Sequence, residues 1–381
     1  MVSGSGLVGN AKAGPPATHQ LPVDRTPDVR LSKPTSGSDL VSGRAYCNEI
    51  LQKVSRTFAL TIRLLPPDLE HPVLLAYLLC RIADTIEDTA DLPGSDKDAL
   101  LSQLRLCLED ERPDAGPIAA RFENPRTDEE ELASRADVVL NEFHRLPASQ
   151  RSAITPWVQE MCTGMAGFAS RYVEGDSETP RALTTVSDLE RYCYYVAGTV
   201  GHLLTDLFAS VRIAVTPHHY ARLKPLATSF GLGLQLTNII KDVADDRRRG
   251  WSFVPRELCD QFGIQPGQMH DPDHDRQARQ AMDVLIGKAQ GHLKDALEYC
   301  TRLPRREYRV RLFCLTSLYF AVRTLRLAAR DARLLDPAHK VKITRREVYR
   351  TVAMAAIIAP SNTLVKAYFK VLAGLPSSLL P

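Results

Sequence analysis

Two acidic pentads limit most strongly how this chain can fold: Asp84-Thr85-Ile86-Glu87-Asp88 and Asp242-Val243-Ala244-Asp245-Asp246. Each carries acids at its first, fourth and fifth positions. On an α-helix, residues three and four apart share a face, so each pentad projects three carboxylates from one stripe. The segments leading into them, Pro72 to Ala83 and Phe230 to Ile240, are apolar almost all round, the pattern of a buried helix. Carboxylates that continue a buried helix need a cationic partner. Mg²⁺ takes oxygen ligands, combining one or two carboxylates with substrate phosphates and water. Two such stripes facing each other would clamp a diphosphate through bridging Mg²⁺. A solvated acidic surface is the competing reading of either pentad alone; two copies, each behind an apolar helix, weigh against it.

The rest of the chain fits a helical frame. From about Ser42 onward, long segments of period near 3.6 are punctuated by Pro, Gly or Asp, as at Leu64 to Asp68, Asp91 to Gly94, Val215 to Pro217 and Leu335 to Pro337. No run alternates as a strand would, and no glycine-rich phosphate loop follows a strand, which argues against a dinucleotide or P-loop fold. The polar stretch from Gly94 to about Arg151 reads as peripheral helices and loops, with the charged run Arg126 to Glu131 as a solvated face. The expectation is one all-α domain over residues 42–373 with a central cavity, flanked by tails at 1–41 and 374–381.

A net charge of +3 in 381 residues gives no reason to expect a nucleic-acid partner. The eight cysteines are scattered without paired short spacings, as suits free thiols in a reducing cytoplasm. The first forty residues are rich in Gly, Pro, Ser and Thr and lack an apolar block, so no secretory signal is expected there. No uninterrupted apolar stretch reaches the roughly 18 residues that cross a bilayer. A cytoplasmic protein is expected, soluble or peripherally attached to a membrane, with a monomer favoured.

Several residues near the pentads suit anion or carbocation chemistry. Ser55 and Arg56, in Ser55-Arg56-Thr57-Phe58, are phosphate donors or else a helix cap and an exposed cation. Arg81 shares a face with the first acids, to pair with them or with diphosphate. In Tyr192 to Gly201 the small residues Ala197, Gly198 and Gly201 allow close approach of a ligand or another helix, and the tyrosines offer ring faces and hydroxyls. Gln235 and Asn238 lie on the Asp242 face as cavity or core amides.

Assembled, these segments resemble the squalene and phytoene synthase family, the head-to-head (trans) isoprenyl diphosphate synthases. The matching stretches are Ser55 to Phe58, Tyr77 with Cys80 to Asp88, Tyr192 to Gly201 and Gln235 to Pro255. The resemblance implies an all-α isoprenoid synthase bundle. It also implies that Asp84, Asp88, Asp242 and Asp246 bind Mg²⁺-diphosphate with Glu87 and Asp245 in support. Ser55, Arg56 and Arg81 would lie near the diphosphates. Tyr192 would handle a proton in the first half-reaction, and Asn238 would sit beside the second metal cluster. Phe58, Tyr77, Val196, Ala197 and Gly201 would line a prenyl tunnel. Arg311-Leu312-Phe313-Cys314 and Val341 to Arg345 resemble squalene synthase elements, with Phe313 in the second-half-reaction pocket and Lys342 and Arg345 on NADPH phosphate.

The activity implied is condensation of two farnesyl diphosphates and reduction by NADPH to squalene. A non-reductive phytoene or dehydrosqualene synthase is the alternative, and a catalytically silent helical scaffold a more distant one. Three positions depart from the family: Asp245 stands where Glu is usual, Thr344 where arginine is common, and Trp251 where arginine is typical. Either Arg249 or Arg248 substitutes for the missing arginine, or the NADPH or diphosphate contact there is altered.

Overall fold

The computed structural model describes residues 37–109, 113–171 and 181–374. Helices α1 (Gly37–Val54) and α2 (Arg56–Ile62) lead into α3 (Pro67–Asp88), which carries the first pentad in its last two turns. Pro67 opens α3 at a position whose N–H would have no helical partner. Behind it α3 is buried almost all round, from Leu69 to Glu87. Four helices, α4 (Gly94–Glu109), α5 (Gly116–Arg121), α6 (Asp128–Ser134) and α7 (Ala136–His144), form the polar periphery ahead of α8 (Ala148–Arg171).

The charged run there is not simply a solvated face. Thr127 caps α6 by accepting from Glu130 N, Glu129 meets Arg81 at 2.9 Å, and Glu131 lies 3.4 Å from Lys53. Acids in the first turn of a helix complement its dipole, and here two of them also tie α6 to its neighbours.

Helix α9 (Val186–Cys193) begins with a reciprocal cap between Thr185 and Asp188. It runs through a single π-helical turn, Tyr194–Gly198, into α10 (Thr199–Val211). The longest helix, α11 (Pro217–Arg248), carries the second pentad at its C-terminal end and packs on α10, α13 (Asp275–Arg302) and α14 (Tyr308–Arg330). Gly250, at φ 75°, takes the left-handed conformation that ends it. The chain continues through α12 (Arg256–Gln261) and closes with α15 (Arg345–Ile358) and α16 (Asn362–Ala373).

One feature departs from the sequence reading. A short parallel ladder joins β1 (Arg181–Ala182) to β2 (Trp251–Ser252), with Arg181 opposite Trp251. Two residues per strand are too few to show an alternating pattern. Helix α14 is long and apolar enough, by length and composition, to cross a bilayer, yet most of its apolar window is buried inside the bundle. All eight cysteines are free and buried.

Of the expected tails, residues 1–36 and 375–381 lie outside the described residues, while 37–41 belong to α1 and Gly374 caps α16.

Candidate active site

Both pentads open into one cavity of about 530 Å³, enclosed by α2, α3, the α9–π–α10 segment, α11, α13 and α14. Asp84, Glu87 and Asp88 line it from α3, and Asp242 and Asp246 from α11. The clusters face each other closely enough for the charge of Asp88 to act on Asp246. Burial pushes the Asp84 carboxyl up to about 7, against the pull of Arg81 and with the help of Asp88. Burial, then Asp88 and Asp84, pushes Glu87 up to about 8. Burial also lifts Asp246 to about 6, despite Arg249 beside it.

Carboxylates whose proton affinity is raised by burial, with like charges beside them, are those that a divalent cation stabilises most when they ionise. Among the described residues, no group of three or more His, Cys, Asp or Glu is gathered to hold a metal ion by itself. For Mg²⁺, which completes its shell with phosphate oxygens and water, two opposed pairs of carboxylates are a sufficient protein contribution. The donor set therefore fits Mg²⁺ with a diphosphate.

Protein cations stand among these acids. Arg81 lies 3.7 Å from Asp84, Lys241 pairs with Asp242, and Arg249 donates to Asp246. Lys241 has no place in the motif reading, although its position immediately before Asp242 was the available signal. Arg249 reaches the cavity, whereas Arg248 pairs with Asp245. Of the two arginines expected to compensate for Trp251, only Arg249 is therefore in position.

Asp245 is outside the cavity lining, held by Arg248 and by Lys340 at 2.8 Å. Ser55 and Arg56 are likewise outside it. The Ser55 hydroxyl accepts from Phe58 N as the cap of α2, and Arg56, in the first turn, is exposed. Phe58 does line the cavity, with its ring 5.0 Å from that of Tyr77. Lys342 and Arg345 lie outside the lining on exposed chain; Lys340, two residues before Lys342, ties that segment to the second cluster.

The remaining lining changes from acid to apolar with depth. Gln235 and Asn238 sit next to the Asp242 cluster, and Val196, Ala197 and Gly201 form one wall. Phe313 lines the deep end, together with Phe208, Phe230 and Tyr299, three aromatics with no motif to reveal them. A Cβ on Gly201 would stand 2.0 Å from the Ala227 carbonyl oxygen, and one on Gly231 equally close to that of Ala197. The small residues thus serve helix contact, and the wall they make is backbone. Tyr192 is buried at the junction between acids and apolar wall, its hydroxyl 3.4 Å from Glu87 Oε2. Burial, then Glu87, raises its phenol well above the usual range. Tyr194 and Tyr195 turn elsewhere, to Glu160 and over Gly164.

An all-α bundle with opposed acid clusters at one end of an apolar cavity is the architecture of an isoprenoid synthase. The chain belongs to the squalene/phytoene synthase family, prenyltransferase-type enzymes, which it matches over residues 51–347. It is 31% identical to the squalene synthase of Eremothecium gossypii over 85% of its own length and 72% of that protein. It is 30% identical to that of Schizosaccharomyces pombe over 78% and 62%. The chain thus spans less than two thirds of the second relative. A solved structure of TcSQS with a ligand superposes at TM-score 0.74 with 27% identity, covering 89% of this chain and 94% of that one. A ligand-bound dehydrosqualene synthase shares the fold at TM-score 0.60 and 23% identity, covering 88% of this chain and 99% of that one.

Proposed function

We propose that the protein is a squalene synthase, joining two farnesyl diphosphates head to head and reducing the product with NADPH. The observation that carries this reading is the opening of both acid clusters into a single apolar cavity. Such a cavity holds prenyl chains in its aromatic depth and their diphosphates at its acidic end. Asp84, Glu87, Asp88, Asp242 and Asp246 would hold Mg²⁺, which neutralises the leaving diphosphate. Arg81, Lys241 and Arg249 stand where they can pass from a carboxylate to phosphate oxygen as the ion enters, with Gln235 and Asn238 beside them. Phe58, Tyr77, Val196, Ala197, Gly201 and Phe313 exclude water from the allylic cation, and the aromatic faces stabilise its charge. The Tyr192 hydroxyl, protonated and directed at Glu87, is placed to give or relay a proton where diphosphate leaves.

NADPH would supply hydride to the second half-reaction. Lys342 and Arg345 fit its phosphates: both are exposed, neither has an ion-pair partner among the described residues, and the Lys340–Asp245 contact moors their segment beside the second cluster. The relatives named squalene synthase favour this reading over a non-reductive one.

Product analysis by gas chromatography and mass spectrometry tests it, with farnesyl diphosphate and Mg²⁺, with and without NADPH. Squalene formed only with NADPH is expected. Dehydrosqualene or an alcohol regardless of NADPH would move the protein to the non-reductive branch.

A further inference from the structure

Tyr192 is bracketed by two rings that share one anchor. Phe253 lies 4.9 Å from the Tyr192 ring at 32°, and Phe168 meets it edge-on at 5.5 Å and 79°. Behind Phe253, Trp251 is stacked at 5.2 Å and 5°. The Arg181 guanidinium sits 3.9 Å from the centre of the Trp251 ring, and its Nη2 donates to the Phe168 carbonyl oxygen at 3.0 Å. One buried arginine thus holds the backbone of one ring and, through the indole, the stack of the other. The β1–β2 ladder brings these parts together: Arg181 N donates to Gly250 O at 2.8 Å and sets Arg181 opposite Trp251. Neither Arg181 nor Trp251 lines the cavity.

We infer that Arg181 and Trp251 are positioning residues for Tyr192, fixing the ring so that its hydroxyl stays directed at Glu87 and the leaving diphosphate. The inference rests on the proposed proton-handling role of Tyr192. A guanidinium seated on an indole face binds it electrostatically, more strongly where water is excluded. An aromatic at 251 supplies a face on each side, one for the cation and one for Phe253; an aliphatic side chain supplies neither. At 3.4 Å the Tyr192–Glu87 contact has little margin, so a small ring rotation breaks it.

The test compares Arg181→Met, Trp251→Leu and Trp251→Phe by steady-state pyrophosphate release from farnesyl diphosphate with Mg²⁺. Following pyrophosphate instead of squalene keeps the comparison valid if the reductive assignment fails. Misplacing a reacting group costs turnover more than substrate affinity, so Arg181→Met and Trp251→Leu should lower kcat by about tenfold or more while KM stays within about threefold. Trp251→Phe, which keeps an aromatic face, should retain roughly half of kcat. Should Arg181→Met not fold, Arg181→Lys keeps a cation over the indole but loses the fork to Phe168, and should show the same fall in kcat. The inference is overturned if a folded Arg181 or Trp251→Leu variant keeps kcat within about twofold, if the loss lies in KM alone, or if Trp251→Phe is as impaired as Trp251→Leu.

Discussion

The hydroxyl of Tyr192 reaches Glu87 Oε2 at 3.4 Å, joining residues 105 positions apart at the junction of the acid cluster and the apolar wall. Tyr192 lines the cavity beside the acids, where a departing diphosphate would be held. Tyr192→Phe keeps the ring, and with it the packing against Phe253 and Phe168. Its expected result is a fall in kcat of about 10²-fold, with KM and melting temperature nearly unchanged. Unaltered turnover in steady-state assays would remove the hydroxyl from the mechanism.

The acids of the two pentads should separate by position and not by sequence likeness. Asp84→Asn and Asp242→Asn each remove a charge from the cavity and should lower turnover by roughly 10²- to 10³-fold. Asp245→Asn, which loosens only Arg248 and Lys340, should stay within about threefold of the parent. Equal losses at all three positions would place Asp245 back among the metal ligands.

The metal-free protein should show an unusual response to pH. Asp84, Glu87 and Asp246 have folded-state affinities for protons at about 7, 8 and 6, above the ordinary values of 3.8, 4.5 and 3.8. A raised folded value means that the folded state binds more protons than the unfolded one between those limits. The stability it contributes is full below about pH 4 and is lost as pH rises through about 6 to 8. Mg²⁺ needs the ionised carboxylates, so its stabilising effect should run the opposite way. The Mg²⁺-induced rise in melting temperature should be small near pH 5.5 and largest near about pH 8.5. A pH-independent rise would contradict the raised proton affinity that burial gives these acids.

Glycine position should decide the sign of a Gly→Ala change. At Gly201 the new methyl meets the Ala227 carbonyl oxygen at 2.0 Å, and neither backbone can yield without parting α10 from α11. A cost of about 1–3 kcal/mol is expected. At Gly167 in α8 nothing lies within 4 Å, and alanine should stabilise the helix by up to about 1 kcal/mol. Urea denaturation of the two variants gives both signs directly.

The helical frame and the acid stripes could be read from the sequence because both are local: spacing of three and four puts Asp84, Glu87 and Asp88 on one face whatever surrounds them. The small residues of the Tyr192–Gly201 block could be read for the same reason. What could not be read depends on partners far along the chain. Asp245 sits among acids by spacing but is drawn off by Lys340. Glu129 belongs to a run that looks solvated until Arg81 is placed beside it. Trp251 looks like a lost arginine until β1 sets Arg181 against it. The π-helical turn at Tyr194–Gly198 has no propensity signature.

Arg311 gives the last expectation, one of stability without catalysis. It stands two residues before the cavity-lining Phe313, in a segment that resembles a squalene synthase element, yet its side chain is wholly buried away from the cavity. Its guanidinium donates to Ala359 O at 2.9 Å, to Cys300 O at 2.9 Å, to Leu303 O at 2.8 Å and to Asn362 Oδ1 at 2.7 Å, joining the end of α13 and the α15–α16 turn to α14. Methionine in its place would leave three buried carbonyls and the part-buried Asn362 Oδ1 without this donor, at about 1 kcal/mol or more each. Arg311→Met should therefore lose about 4 kcal/mol of unfolding free energy while the folded fraction keeps its kcat. Lysine, with one compact donor group in place of a planar fork, should recover only part of that loss. A variant of normal stability but lower kcat would instead make Arg311 part of the site.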